Sequence, residues 1–180
     1  MDKLAAHRRA QDVFAEVLAN VRADQLDTPS PCAGWTVKDV IDHVIGGNQL
    51  VRQRGGLDPI ELPDGDAAAL TASAAAAHEV FAAPDGLTRT FDLPFGTIPA
   101  AMFIDLRTID LLVHAWDVAT VTGQPTDLDP ELAAVCMDAA RERMAPGFRG
   151  EGKPFGEEQP YPPGASGTDT LAAFLGRAVP

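Results

Sequence analysis

The stretch that decides the fold is residues 100–122, which read AAMFIDLRTIDLLVHAWDVATVT. When its residues are placed at about 100° per step around a helix, apolar side chains cover most of the circumference, as is typical of a buried helix. The next residue, Gly123, is of the type that commonly follows the last turn of a helix. The stretch therefore predicts a long helix in the interior of the protein.

Apolar residues at steps of three and four predict further helices on both sides of this stretch. Their expected bounds are residues 1–20, Thr36 to about Gly55, Ala67 to Ala83, Pro130 to about Met144, and Thr168 to Leu175. Thr36 can cap its helix, because Asp39 follows three residues later in the spacing of a capping box. Stretches rich in proline and glycine separate the helices.

Two segments do not follow the helical pattern. Residues 88–93 alternate between polar and apolar side chains and, with 96–98 as the return strand, predict a small β-hairpin. Residues 146–167 are rich in proline and glycine, which predicts a long extended segment. Four long helices are expected to form the core. The sequence therefore predicts one all-α domain over residues 1–180, a four-helix bundle with extra short helices.

Composition and charge exclude several classes of function. The 180 residues carry 14 Lys and Arg against 26 Asp and Glu, a formal net charge of −12, which argues against nucleic acid or an anionic membrane as partner. Two cysteines are too few for a disulfide scaffold or a four-cysteine zinc site. The first residues lack the apolar core of a signal peptide and no apolar run is long enough to span a membrane, so we expect a cytoplasmic protein.

The predicted buried helix carries a narrow stripe of ionisable side chains, formed by Arg107, Asp110, His114 and Asp117. Such a stripe is costly in an apolar interior unless its members are paired or bind an ion. Asp110 and His114 are four residues apart, the spacing by which one helix offers two ligands to a metal. The alternative is that Asp110 pairs with Arg107 and that His114 is a hydrogen-bonded core histidine. Asp117 is expected either to accept a hydrogen bond from a ligating imidazole or to pair with an arginine.

A third ligand is available on the second predicted helix. His43 lies at the boundary of that helix's apolar face, from which its side chain can point across a groove of the bundle. Two histidines and one carboxylate suit zinc, nickel or iron(II), and they leave coordination positions open, as in catalytic sites. The alternative is that His43 is simply half-exposed on its helix.

The remaining histidines and cysteines carry less weight. We expect His7 and His78 to be surface residues. Cys136 lies among apolar positions and is expected in the core. Cys32 is either a small buried residue in a turn or a reactive thiol.

Two long motifs and the end of the chain resemble a known family. Residues 30–48, SPCAGWTVKDVIDHVIGGN, and residues 110–119, DLLVHAWDVA, are similar to segments of actinobacterial metal-binding proteins of the DinB/YfiT-like superfamily. Residues 174–177, FLGR, resemble the last motif of the same proteins. That group is related to the N-terminal domain of mycothiol-dependent maleylpyruvate isomerase.

This resemblance implies a four-helix bundle that holds a divalent metal, zinc above all, through His43, Asp110 and His114. The isomerases carry Glu where this chain has the shorter Asp110, which reaches the metal either directly or through water. The resemblance also implies mycothiol as cosubstrate of a thiol S-transferase or isomerase-like enzyme that acts on a small electrophile. Arg107 is the candidate catalytic group, which either holds a substrate carboxylate or orients Asp110.

The rival interpretation is a metal-binding bundle without a reaction of its own, acting as a dimer in a stress-related or regulatory role. The alanine-rich third helix and the apolar fourth helix offer more apolar surface than one bundle interior needs, so we expect a homodimer. The sequence leaves both interpretations open.

Overall fold

The computed structural model describes residues 1–94, 96–143, 150 and 155–180, and over these the protein is mostly helical. The helices are α1 (Lys3–Ala19), α2 (Val37–Arg54), α3 (Asp66–Ala82), α4 (Ala100–Thr122), α5 (Pro130–Arg143) and α6 (Gly167–Phe174). A 3-10 turn at Ala23–Gln25 follows α1, and two short strands, β1 (Thr90–Leu93) and β2 (Gly96–Pro99), precede α4. No helix within the described residues is long and apolar enough to cross a membrane.

The ends of α2 and α4 confirm the predicted local signals. At the start of α2 the Asp39 amide donates to the Thr36 hydroxyl, and the Thr36 amide donates to the Asp39 carboxylate at 2.8 Å, which is the reciprocal bonding of a capping box. At the end of α4, Gly123 adopts the left-handed conformation with φ 74° and donates its amide to the carbonyl of Ala119. Both boundaries are therefore fixed by local chemistry.

Helix α4 occupies the interior, as its apolar circumference predicts. It contacts α1, α2, α5, α6 and both strands. The largest side chains of the main core come from all six described helices and are Phe14, Ile41, Leu70, Ile109, Leu111, Leu112, Trp116, Leu132 and Leu171, all of them fully buried. Most side chains of α4 are buried, so its buried ionisable groups have to be satisfied within the protein.

The β-hairpin predicted from alternation is present and has a packing role. Strands β1 and β2 are antiparallel, with Phe91 opposite Ile98. The ring of Phe91 lies 5.1 Å from that of Phe103 on α4 and 6.0 Å from that of Phe81 on α3. These rings form a second, smaller hydrophobic cluster that closes one end of the helices.

The C-terminal segments differ slightly from their predicted bounds. Helix α5 ends at Arg143, and the predicted last residue, Met144, lies outside the described residues, as does much of the predicted extended segment 146–167. Its described part, residue 150 and residues 155–167, contains no helix before Gly167, where α6 begins. Helix α6 begins one residue earlier than predicted, because Ser166 caps it and forms a second capping box with Asp169.

The prediction that His7 is a surface residue is wrong. His7 is completely buried on α1, where its ring meets the ring of Phe81 at 5.2 Å in an edge-on arrangement. Neither ring nitrogen has a hydrogen-bond partner among the described residues. Burial, together with the positive charge of Arg107 and the proximity of His78, lowers the pKa of His7 to about 3. His7 is therefore a neutral core residue at physiological pH.

Candidate metal centre

The three residues predicted as ligands converge at the interface of α2 and α4. His43 projects from the middle of α2, and its Nε2 lies 3.3 Å from Oδ1 of Asp110. His114, one turn after Asp110 on α4, places its Nε2 3.4 Å from the same oxygen. One donor atom from each residue lies within 4.8 Å of the other two. The spacing on α4 and the position of His43 thus assemble one group of potential ligands.

These separations fit a small divalent ion. A tetrahedral zinc ion with bonds of about 2.0–2.1 Å holds neighbouring ligand atoms about 3.3–3.4 Å apart. The two contacts to Asp110 Oδ1 match that spacing. The side chains of His43 and Asp110 are 36% and 25% exposed, so the group also opens to solvent. The arrangement can therefore accept a cation and leave room for a further ligand.

Arg107 acts on the opposite oxygen of Asp110. Its Nη1 donates to Asp110 Oδ2 at 2.8 Å, and its Nη2 donates to the carbonyl of Val44 at 3.5 Å. The guanidinium lies so close to Gly47 that a side-chain carbon at that position would collide with it. The predicted salt bridge between Arg107 and Asp110 therefore exists, but it leaves Oδ1 of Asp110 free to face both histidines.

The charges at this group stabilise one another. Burial alone would raise the pKa of Asp110, but the positive charges of Arg107 and His114 outweigh it and hold that pKa well below its usual range. Burial alone would lower the pKa of His114, but the Asp110 and Asp117 carboxylates outweigh it and hold that pKa well above its ordinary value. A cation that binds here must therefore displace a proton from His114.

The other side of the His114 ring is held by a buried ion pair. Nδ1 of His114 lies 2.9 Å from Oδ2 of Asp117, whose side chain has no exposed surface. Because a carboxylate only accepts, Nδ1 must carry the hydrogen, which directs Nε2 towards Asp110. Arg177 donates to both oxygens of Asp117, at 3.1 and 3.0 Å. Asp117 thus accepts from the imidazole of His114 and also pairs with an arginine.

A second group of potential ligands, Cys32, His114 and Asp117, shares His114 with the first. In this group the Cys32 thiol donates to Asp117 at 3.3 Å, and Nη2 of Arg177 donates to the Cys32 sulfur at 3.3 Å. The guanidinium of Arg177 therefore already supplies a positive charge where a metal ion would have to lie. This charge arrangement favours the group of His43, Asp110 and His114 as the metal centre.

Trp35 covers the two imidazoles and was not singled out from the sequence. Its ring centroid lies 5.0 Å from that of His43 and 6.0 Å from that of His114, with an angle of 20° to the latter ring. The loop that carries Trp35 is closed on itself, because the Ser30 amide donates to the Trp35 carbonyl at 2.8 Å. Sequence reasoning also missed Arg177, although both residues lie inside the motifs 30–48 and 174–177.

The other histidines and cysteines lie away from this centre, except for Cys32. The ring of His78 bonds Nη2 of Arg8 at 2.6 Å on the outer side of α1 and α3. Cys136 is buried on α5 as predicted, and burial, with Asp105 and Asp129 nearby, raises the pKa of its thiol to about 12. Neither His78 nor Cys136 belongs to a group of potential metal ligands among the described residues.

Comparison with known proteins gives two findings. The family model described as "Mycothiol maleylpyruvate isomerase N-terminal domain" matches residues 7–59, a range that includes Trp35 and His43 but ends before Asp110. Two curated proteins of Mycobacterium tuberculosis, "Uncharacterized protein MT0763" of strain CDC 1551 / Oshkosh and "Uncharacterized protein Rv0738" of strain H37Rv, are each 58% identical over 182 residues. These alignments cover 99% of this chain and 100% of each relative. No solved structure matches the chain.

Proposed function

We propose that the chain is a metal-dependent enzyme that activates a low-molecular-weight thiol. It belongs to the same family as the two Mycobacterium tuberculosis proteins, and its residues 7–59 match the model of the mycothiol maleylpyruvate isomerase N-terminal domain. The observation that carries the proposal is the spacing of Nε2 of His43, Oδ1 of Asp110 and Nε2 of His114, which suits a tetrahedral divalent ion with an open position. Zinc is the metal we expect, with nickel or iron(II) as alternatives.

When bound, a divalent ion acts as a Lewis acid and would lower the pKa of a thiol or of water, so that the deprotonated form exists at neutral pH. Three residues of the chain position and shield the proposed ligands. Arg107 holds one oxygen of Asp110 and so presents the other to the ligand site. Asp117 holds His114 from behind. Trp35 shields one side of both imidazoles from water. These contacts preorganise the site before substrate binds.

The contacts of Arg107 favour one of its two predicted roles. Its side chain is only 8% exposed, and it already donates to Asp110 and to the backbone of Val44. A substrate carboxylate would have to displace these partners. We therefore propose that Arg107 orients Asp110 rather than binding the substrate.

The helix contacts support the four-helix bundle that the resemblance implies. Helix α1 contacts α3 and α4, and α2 contacts the same two helices, so the four form a closed ring of neighbours. The proposed ligands lie on α2 and α4, two members of that ring. Metal sites in such bundles are typically built from side chains on facing helices.

Mycothiol is the thiol that we propose, because the matched family model carries its name. The decisive assay loads the purified protein with Zn²⁺ and measures the consumption of a bromobimane or epoxide electrophile in the presence of mycothiol. We expect acceleration that disappears in the variants His43→Ala and His114→Ala. His78→Ala is the matched control and should retain the activity, because His78 is half-buried on α3, bonds Arg8 and belongs to no group of potential ligands among the described residues.

A second candidate function is that of a dimeric metal-binding bundle without a reaction of its own. The observation that favours it is the outward face of α3, where Ala67, Ala68, Ala75 and Ala82 are exposed. Under this proposal the zinc-loaded protein binds metal but accelerates no thiol reaction, and it sediments as a homodimer. A species of about the chain mass of 19.0 kDa in sedimentation or light scattering would contradict it.

A further inference from the structure

We propose that Arg177 is a positioning residue of the metal centre, which fixes the ring of His114 by holding Asp117. The inference rests on the proposed metal-binding function but concerns a residue that follows α6 in the C-terminal segment. Arg177 touches no proposed ligand directly. Its side-chain bonds to other segments go to the buried carboxylate of Asp117 and to the sulfur of Cys32.

The bond between Arg177 and Asp117 has the geometry of a strong, oriented ion pair. Nε of Arg177 donates to Oδ1 of Asp117 at 3.1 Å and Nη2 donates to Oδ2 at 3.0 Å, so each carboxylate oxygen receives one bond from Arg177. The Asp117 side chain is fully buried and that of Arg177 is 12% exposed. A two-point contact fixes the plane of a carboxylate as well as its charge.

The plane of Asp117 in turn fixes the imidazole of His114. Oδ2 of Asp117 accepts from Nδ1 of His114 at 2.9 Å, which leaves Nε2 facing Asp110. Without Arg177 the buried carboxylate would be left with a single cationic partner and with freedom to rotate. Loss of the group that orients a ligating histidine typically costs about 10- to 100-fold in metal affinity.

The same guanidinium also reaches the loop above the site. Nη2 of Arg177 donates to the sulfur of Cys32 at 3.3 Å, and Cys32 donates to Asp117. The loop that carries Cys32 also carries Trp35, which packs on both imidazoles. One arginine therefore joins helix α4, this loop and the C-terminal segment behind the metal centre.

The segment that carries Arg177 is anchored to the rest of the fold. Helix α6 is attached to α4 by the bond from Nε1 of Trp116 to Oδ1 of Asp169 at 2.7 Å. Gly176 then turns the chain with φ 94°, in such close contact that a side-chain carbon there would lie 2.6 Å from Cα of Gly156. The segment thus holds the backbone of Arg177 in one position.

The test compares Arg177→Ala and Arg177→Lys with the matched control Arg143→Ala. Arg143 pairs with Asp105, a mostly buried carboxylate on α4, at 2.9 Å, but makes no contact with the proposed ligands. Zn²⁺ affinity is measured by competition with a chromophoric chelator, and the site geometry by the visible spectrum of the Co²⁺-loaded protein. We expect Arg177→Ala to weaken Zn²⁺ binding by about 10- to 100-fold and to alter the Co²⁺ spectrum. Arg177→Lys should recover part of the affinity, and Arg143→Ala should leave both readouts unchanged.

A second readout needs no metal. In the metal-free protein the Nδ1 hydrogen of His114 should give a slowly exchanging downfield proton NMR signal, which Arg177→Ala should lose and Arg143→Ala should keep. If Arg177→Ala does not fold, Arg177→Lys carries both measurements. Wild-type metal affinity, Co²⁺ spectrum and imidazole signal in the Arg177 variants overturn the positioning role. A wild-type protein that binds no metal would instead overturn the proposed function, while the NMR signal still decides whether Arg177 holds His114.

Discussion

His7 and His114 are both buried histidines on long helices, yet their surroundings shift their pKa values in opposite directions. The ring nitrogens of His7 have no hydrogen-bond partner among the described residues, and burial, with Arg107 and His78, lowers its pKa to about 3. His114 lies between the carboxylates of Asp110 and Asp117, which outweigh the effect of burial and raise its pKa well above the ordinary value. Pairing with carboxylates, rather than burial alone, decides which of the two rings is charged in the metal-free protein.

The strongest test of this comparison is the loss of metal. His114→Ala removes the one imidazole that contacts both carboxylates, so we expect its metal content, measured by elemental analysis after Zn²⁺ loading and dialysis, to fall from about one ion per chain to near zero. His7→Leu should bind as much metal as the wild type, because His7 is not among the potential ligands. Equal metal in the wild type and in His114→Ala would refute the proposed centre.

The second prediction concerns stability in acid. Because the pKa of His7 is depressed in the folded protein, its neutral form stabilises the fold above the unfolded pKa of 6.5, and this contribution is lost as pH falls from 6.5 towards 3. The loss amounts to about 4 kcal/mol at pH 3, at about 1.4 kcal/mol for each pH unit. Urea unfolding at a series of pH values measures it.

The variant His7→Leu isolates this effect from those of the acidic residues. It keeps an apolar side chain in the core but removes the group that takes up a proton on unfolding. We expect its free energy of unfolding to fall less steeply between pH 6.5 and 4 than that of the wild type. Parallel pH profiles for the two proteins would show that His7 is not the acid-sensitive group.

The third prediction concerns His114 and has the opposite sign. Because its pKa is raised in the folded metal-free protein, the charged form of His114 stabilises that protein below pH 6.5, and the contribution is lost as pH rises through the raised pKa. Metal binding displaces this proton. The apparent Zn²⁺ affinity should therefore rise by up to about tenfold for each pH unit at pH values below the raised pKa of His114.

Calorimetric titration with Zn²⁺ in buffers of different ionisation enthalpy counts the protons released. We expect about one proton from the wild type and a comparable value from the control His78→Ala. Affinity that is independent of pH, with no proton released, would contradict the imidazolium form of His114 in the metal-free protein.

Local signals in the sequence predict most of the helices and single out His43, Asp110 and His114, which the structure brings together. The cap formed by Thr36 and Asp39 and the turn at Gly123 depend on residues within four positions of one another. The spacing of Asp110 and His114 depends only on the period of one helix. The sequence does not reveal that His7 is buried, because its neighbours Arg8 and Arg9 are charged and the apolar residues of α1 indicate a buried face without it.

By itself, the sequence determined that α4 is a buried helix with an Asp and a His on adjacent turns, since apolar periodicity and helical spacing are properties of a single segment. Only the tertiary structure decided which side of the His114 ring faces Asp110 and which side is closed by Asp117. That choice rests on Asp117 meeting Arg177 from 60 residues away and Cys32 from 85 residues away. Spacing along the chain cannot specify such contacts, because they arise only when separate segments pack around the same helix.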